Sequence, residues 1–262
     1  LAAMDQNADG RLLAQEFLGA PRLRRHLLGT DSLGRDLAVR LLYGLRVTLL
    51  VALSATFIAF LLGAGLGLAA GFLGGRLDRL LLRLLEVLQA VPFIFVVILL
   101  TVATRDALIL QVETAQAQAL AQAVVLFCAL GAVQWFSLAR YARGLGASLR
   151  SAEFVVALRG MGYSTSRIVF AHLLPNALLP LLAFGTLLVP TLVLEEAFLS
   201  FLGFGIQPPY PSLGVLLSDG VAMLDVAPAM MVAPALTLLG LTWSLHVGAR
   251  WLSQRTRPGG AP

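Results

Sequence analysis

Residues Glu153 to Asn176 read EFVVALRGMGYSTSRIVFAHLLPN, a polar, arginine-bearing stretch between two long apolar ones. Phe154, Ala157, Leu158 and Met161 recur at i, i+3, i+4 and i+7, the spacing of one helical face. Gly160 and Gly162 break that helix. Ser164, Thr165 or Ser166 can cap another that carries Ile168, Val169 and Phe170, and Pro175 closes the unit where the next apolar run begins. A helix–glycine–helix element in a short loop between membrane spans has the shape of a piece that another protein grips. The plainer alternative is a solvated connector.

On either side of this stretch the composition is that of a membrane protein. Mean hydropathy is +0.86 and only 13% of the 262 residues are charged. The formal charge of +5 comes from arginine, because the sequence contains no lysine. A phosphate-binding G-x-x-x-x-G-K-[ST] loop and a Schiff-base amine are therefore both excluded, and there is no ATP site in this chain. If ATP drives the protein, another polypeptide binds it. The single cysteine, Cys128, lies in an apolar run and can make no intrachain disulfide. No signal peptide follows Leu1, and the beginning of the protein is expected to be missing.

Five apolar stretches are long enough to cross about 30 Å of hydrocarbon, near 47–73, 84–104, 119–139, 177–201 and 227–250. Alternation of period two is absent, so the spans are helices, and the expected fold is an all-α, polytopic helical bundle. Arginines orient it. Arg76, Arg79 and Arg83 lie in one connector, Arg140, Arg143, Arg150, Arg159 and Arg167 in the 140–176 loop, and Arg250, Arg255 and Arg257 in the tail. The intervening loops hold Arg105 and, from 203 to 226, no basic residue. The positive-inside rule thus puts the 140–176 loop and the tail in the cytoplasm and residues 1–46 outside. The seven arginines of that outer segment oppose the rule locally. A further helix upstream, making six, would resolve the tension.

The chain divides into an outward-facing segment, 1–25, and a transmembrane domain, 26–262. Asp5 to Glu16 fits D-x-[DN]-x-[DN]-G-x5-E without a mismatch. Asp5, Asn7 and Asp9 can aim three oxygens at one hard cation, the Arg11 carbonyl adds a fourth ligand, and Glu16 can close the site with two more; Ca2+ is the expected ion. An Asp/Asn/Gly turn before a helix is the bland reading. After it, Thr30, Asp31 or Ser32 can cap a short helix, with Asp36 and Arg40 an i,i+4 pair. Leu37, Leu41, Leu42 and Leu45 form a stripe opposite Arg40 and Arg46, as in a helix lying in the membrane interface before the first span.

Within the spans, Gly63, Gly67 and Gly71 repeat every four residues and admit a close helix neighbour. Glu86 and Gln89 are expected to pair with Arg83 or Arg79. Pro180 and Pro190 predict a kinked or broken helix. Glu195 and Glu196 either face a pathway or are solvated at the interface. Three scattered histidines offer no metal-ligand spacing.

Three stretches resemble the permease subunits of bacterial ABC importers. In the 153–175 loop, Ala157, Gly162, Leu174 and Pro175 match the pattern E-A-A-x3-G-x9-I-x-L-P. Val156 and Leu158 replace its acidic residue and second alanine, and His172 its isoleucine, while Glu153 is the carboxylate nearby. His26, Gly29, Thr30, Asp31, Gly34, Arg35 and Asp36 match the segment HPLGTDxxGRD of the dipeptide, oligopeptide and nickel importers, with Leu27 in place of proline. Glu195 to Gly220 is similar to the family's outer loop, with Leu213 where tryptophan is frequent. The resemblance implies a multi-pass protein of the bacterial inner membrane with no catalytic centre, importing peptides or related small solutes. It implies a coupling loop comprising Glu153, Ala157, Arg159, Gly162, His172, Leu174 and Pro175. The implied partners are a second homologous permease, two cytoplasmic ATPase subunits, an extracytoplasmic solute-binding protein and membrane lipid, with no nucleic acid. Two other readings remain open at this point: an ion-coupled carrier or channel using Glu195 and Glu196, and a calcium-regulated membrane protein.

Overall fold

The computed structural model describes residues 26–109 and 114–255. Among these the regular elements are helices: α1 (Leu37–Leu73), α2 (Gly75–Ala90), α3 (Phe93–Ile109), α4 (Ala115–Leu149), α5 (Glu153–Gly160), α6 (Thr165–Arg167), α7 (Leu174–Phe201), α8 (Leu213–Val221) and α9 (Ala229–Arg255). One wide π-helical turn, Ile168–Leu173, joins α6 to α7, so that Thr165–Phe201 is a single helical run. Four helices are long and apolar enough to cross a membrane, and α2 with α3 make a fifth, broken span.

The first span begins earlier than expected. Leu37 starts a 37-residue helix without a break, so among the described residues no separate interfacial helix precedes it. At 1.5 Å per residue α1 is about 55 Å long, well beyond the hydrocarbon thickness. Leu37 and Leu41 are buried against Leu213, Leu216 and Met230 of α8 and α9. Their apolar character serves protein packing and not the interface. Asp36, rather than Thr30, Asp31 or Ser32, caps the helix, accepting from the N–H groups of Ala38 and Val39.

The expected span at 84–104 is also broken. Pro92 supplies no N–H, and it forces Val91 into an extended conformation (φ −87°, ψ 126°). The flanking helices meet at a bend of 79°. The first, α2, is amphipathic and buries Leu81 and Leu85. Further on, α4 continues through Leu149, ten residues past the end of the expected span, so the 140–176 stretch begins as a helix and not as a loop.

At the centre, α1 packs most extensively against α4 and next against α7 and its neighbours. The glycine strip explains the closeness of the first pair. A Cβ on Gly63 would lie 2.7 Å from the Trp135 carbonyl oxygen, and Cβ atoms on Gly67 and Gly71 would collide with the carbonyls of Ala139 and Arg143. These levels rise together along both helices, so α1 and α4 run parallel. In contrast, α7 runs antiparallel to α1, with Gly185 beside Phe60 and the α7–α8 connection hydrogen-bonded at Thr48 (Leu213 N–H to Oγ1, 3.2 Å). Despite Pro180 and Pro190, α7 is unbroken.

Candidate functional site

The 153–176 element is built from α5, a glycine turn and the start of the long helix. The backbone of Ala152 (φ −65°, ψ 142°) turns the chain out of α4, and α5 follows. Only Val155 and Leu158 of α5 are buried, and both join the main core. That differs from the expected stripe. An eight-residue helix lying across the bundle end can insert one narrow face, and the i,i+3 pair Val155–Leu158 takes it. Phe154, Ala157 and Met161 therefore remain outside.

Two hydrogen bonds close the helix. Tyr163 N–H reaches Leu158 O at 3.1 Å and Gly162 N–H reaches Arg159 O at 3.0 Å, with Gly162 at φ +78°. This 6→1 and 5→2 pair is a Schellman closure, and its left-handed position is natural to glycine. Beyond it, Ser164 occupies the cap position, yet its hydroxyl faces Ser166 and not the backbone.

Pro175 does not end the helix, as the sequence had suggested. Its ring and missing N–H disturb bonding to the turn before it, and the chain absorbs the defect by widening to a π turn over Ile168–Leu173. The side-chain amide of Asn176 donates to His172 O at 2.7 Å. His172 packs edge-on against the Tyr163 ring, centroids 5.8 Å apart, and the Arg167 guanidinium lies 5.6 Å from the same ring. Arg159 lies 5.1 Å from the ring centroid of Phe72, a fully buried residue near the cytoplasmic end of α1. Leu174 is half-buried and Glu153 exposed. The outcome is an apolar surface carrying Val156, Met161 (65% exposed) and Phe170 (72% exposed) among arginines.

One ion pair and one hydrogen bond brace this end of the bundle. Arg143 grips Asp78 with two bonds of 2.6 and 2.7 Å, and Arg140 donates to Gln89. These replace the expected pairing of Gln89 with Arg79 or Arg83, and among the described residues Glu86 has no ion pair.

At the opposite end, the segment His26–Asp36 folds back on itself. Leu37 N–H reaches Gly29 O at 3.1 Å, and His26 Nδ1 lies 2.6 Å from Asp36 Oδ2. The expected Asp36–Arg40 pair is not made. Arg40 instead bridges Asp31 (2.8 Å) and Asp219 of α8 (3.1 Å), because the cap role turns Asp36 toward the helix end. Arg35 completes the cluster on Asp31 at 2.7 Å. Thr30 and Asp36 pair across this turn, while Gly29 and Gly34 both hold positive φ. Burial alone would raise the Asp31 pKa. The Arg35 N–H and guanidinium and the Leu33 N–H outweigh it, and hold the carboxyl below the usual range. Asp36 is held low first by His26 and then by the N–H groups of Val39 and Ala38.

Glu195 and Glu196 are not solvated at the interface. Glu196 is completely buried and accepts from Ser200 Oγ at 2.6 Å, while Glu195 accepts from Gln134 Nε2 at 2.6 Å. Gln134 also lines a cavity of about 320 Å³ with Gln89, Pro92 and Ser137. The proposed calcium ligands Asp5, Asn7, Asp9, Arg11 and Glu16 lie outside the described residues. Among the described residues no cluster of three His, Cys, Asp or Glu side chains could hold a metal. Long-range partners such as Arg40–Asp219, 179 residues apart, left no local signal in the sequence.

Parallel and antiparallel spans around α1, with a helical element exposed at the arginine-rich end, define a multi-pass membrane protein. Residues 63–258 match the family described as binding-protein-dependent transport system inner membrane component, and the chain belongs to that family, in the bacterial inner membrane. It is 40% identical over 213 residues to the oligopeptide transport system permease protein OppC of Haemophilus influenzae, covering 81% of this chain and 64% of that protein. The same-named protein of Escherichia coli K12 is 41% identical over 210 residues, 80% of this chain and 65% of that one. The dipeptide transport system permease protein DppC of Lactococcus lactis is 34% identical over 227 residues, 86% of this chain and 62% of its own length. The chain thus spans just under two thirds of the length of these relatives. The fold is shared with the inward-facing MetNI methionine ABC transporter, at a TM-score of 0.60 and 21% identity, covering 84% of this chain and 98% of that one.

Proposed function

We propose that this chain is the membrane-spanning permease subunit of an ATP-driven importer of peptides or related small solutes. The observation that carries the reading is the 153–175 element. Its outer surface is apolar and arginine-rich, its Gly162 turn is closed by two hydrogen bonds, and it leads without a break into a helix that crosses the bundle. Two separate ATPase subunits would grip this surface, a second related permease would complete the path, and an outer binding protein would deliver the solute. The chain itself has no catalytic role in this scheme. The names of the relatives support an ATP-driven peptide importer over a gradient-driven carrier.

The test is reconstitution of the two permeases and two ATPase subunits in liposomes with the binding protein added, with ATP hydrolysis and peptide uptake measured together. Arg159→Glu should leave the complex inserted while uptake per ATP falls. Uptake that persists without any ATPase subunit would remove the proposal.

For the amino-terminal segment we propose a structural Ca2+ at Asp5–Glu16, supported by ligand spacing alone. Calcium titrated into the purified protein should raise its melting temperature, and an unchanged melt rejects the site.

A further inference from the structure

Near the outer end, α1 and α4 line a groove of about 370 Å³, with Tyr43 and Arg46 toward one end and Ser54 and Phe127 toward the other. Ile206 and Tyr210, from the loop after α7, complete the lining. Residues 43 to 54 rise about 16 Å along α1. That is roughly half of a 30 Å hydrocarbon layer, or one leaflet. The charged and phenolic groups sit at one end of this depth, and Ser54 is the one hydroxyl at the other. Tyr43, Arg46 and Tyr210 supply a cation and two phenols there, while the floor below is Val47, Leu50, Val51 and Val124.

Arg46 is the unusual member. It is exposed, and among the described residues it has no ion pair or hydrogen-bonding partner, whereas Arg40, six residues earlier, bridges two carboxylates. A guanidinium above an apolar cleft calls for an anion joined to an apolar tail. Below the groove the same side of α1 continues through Phe57 and Leu61, both exposed, so the cleft opens on an apolar face and not on a polar path. An apolar helix laid into it would strip water from the guanidinium and offer it no counter-charge.

We propose that this groove binds an anionic phospholipid of the outer leaflet, its phosphate on Arg46 between the hydroxyls of Tyr43 and Tyr210, and one acyl chain along Leu50, Val124 and Phe127. The guanidinium binds the phosphate, and a headgroup without a compensating cation such as choline is preferred because its charge is not already neutralised. The apolar floor gives the tail its affinity. The site is separate from the cytoplasmic element and does not depend on the transport reading.

Native mass spectrometry of the purified protein in detergent, with phosphatidylglycerol and phosphatidylcholine of matched chains, tests this. Phosphatidylglycerol should be retained about tenfold better, the scale of one charge-assisted pair. Arg46→Gln should abolish that preference, leaving the two lipids equally retained. Arg46→Lys should keep most of it, which separates a lost charge from a lost fold. Val124→Trp, which fills the cleft, should reduce both lipids. Equal retention by the wild type, or an intact preference in Arg46→Gln, overturns the proposal. So does efficient cross-linking of Leu50→Cys to a second permease in the assembled complex, which would show a protein in the groove.

Discussion

The two ends of the bundle handle their charges in opposite ways. At the outer end Asp31 is enclosed by Arg35 and Arg40, and Arg40 reaches across to Asp219, so the segment before α1 is bolted to α8. At the cytoplasmic end α5 is held by two buried residues, Val155 and Leu158, and one arginine over Phe72. Its remaining surface is left open. A region whose groups satisfy one another is built to stay put. One that leaves apolar and cationic surface unspent is built to meet something else.

Breaking the open end should have the largest effect. Gly162→Pro demands φ near −65° where the chain holds +78°, and the closure of α5 cannot survive it. At about 3 kcal/mol, peptide uptake should fall on the order of a hundredfold while the protein still inserts, as read by paired uptake and membrane-fraction assays. Wild-type uptake would count against the docking role.

Asp31→Asn attacks the bolted end. It removes the charge that pairs two arginines, and the melting transition should reflect a loss of about 2 kcal/mol. Uptake per ATP should change less than in the Gly162 variant. If it changes more, the assignment of rigid and coupling ends is reversed.

Acid probes the same bolt more gently. The carboxyls of Asp31 and Asp36 are held below their free values, so they stabilise the fold above a pH of about 4 and lose that contribution as pH falls through the lowered folded values. Melting temperature should therefore decline along an acid limb below about pH 4, and the limb should be shallower in Asp31→Asn. An identical limb in both proteins would place the loss elsewhere.

The smallest effect compares two nearly opposite faces of α1, the shaft that joins the ends. Gly67→Ala pushes a methyl into the Ala139 carbonyl and should destabilise by roughly 1–3 kcal/mol. Gly65→Ala meets nothing within 4 Å and should be neutral or slightly stabilising. Equal melting temperatures would mean that the two helices separate readily.

Much of this was readable in the letters. The spans, their helical nature and the exposed loop with its Gly162 turn follow from hydropathy and from the conformations open to glycine. Two prolines misled in opposite directions. Pro92 breaks a run that looked continuous, because the bend leaves hydropathy unchanged, whereas Pro175 sits inside a helix that looked finished, because a wider turn absorbs it. Leu37 and Leu41 looked like membrane-facing residues since leucine serves lipid and protein alike, and only α8 shows which. Pairings such as Arg40–Asp219 and Gln134–Glu195 depend on folds that bring distant turns together, and no local spacing encodes them.

The widened turn at Ile168–Leu173 has a rotational consequence. A π turn accommodates about one residue more than an α turn, so everything on its cytoplasmic side is swung by roughly 100° relative to an uninterrupted spiral. The azimuth at which Tyr163 and Arg167 present themselves is thus set by a single surplus residue. Excising one residue there would leave the composition of the surface almost untouched and aim it in another direction.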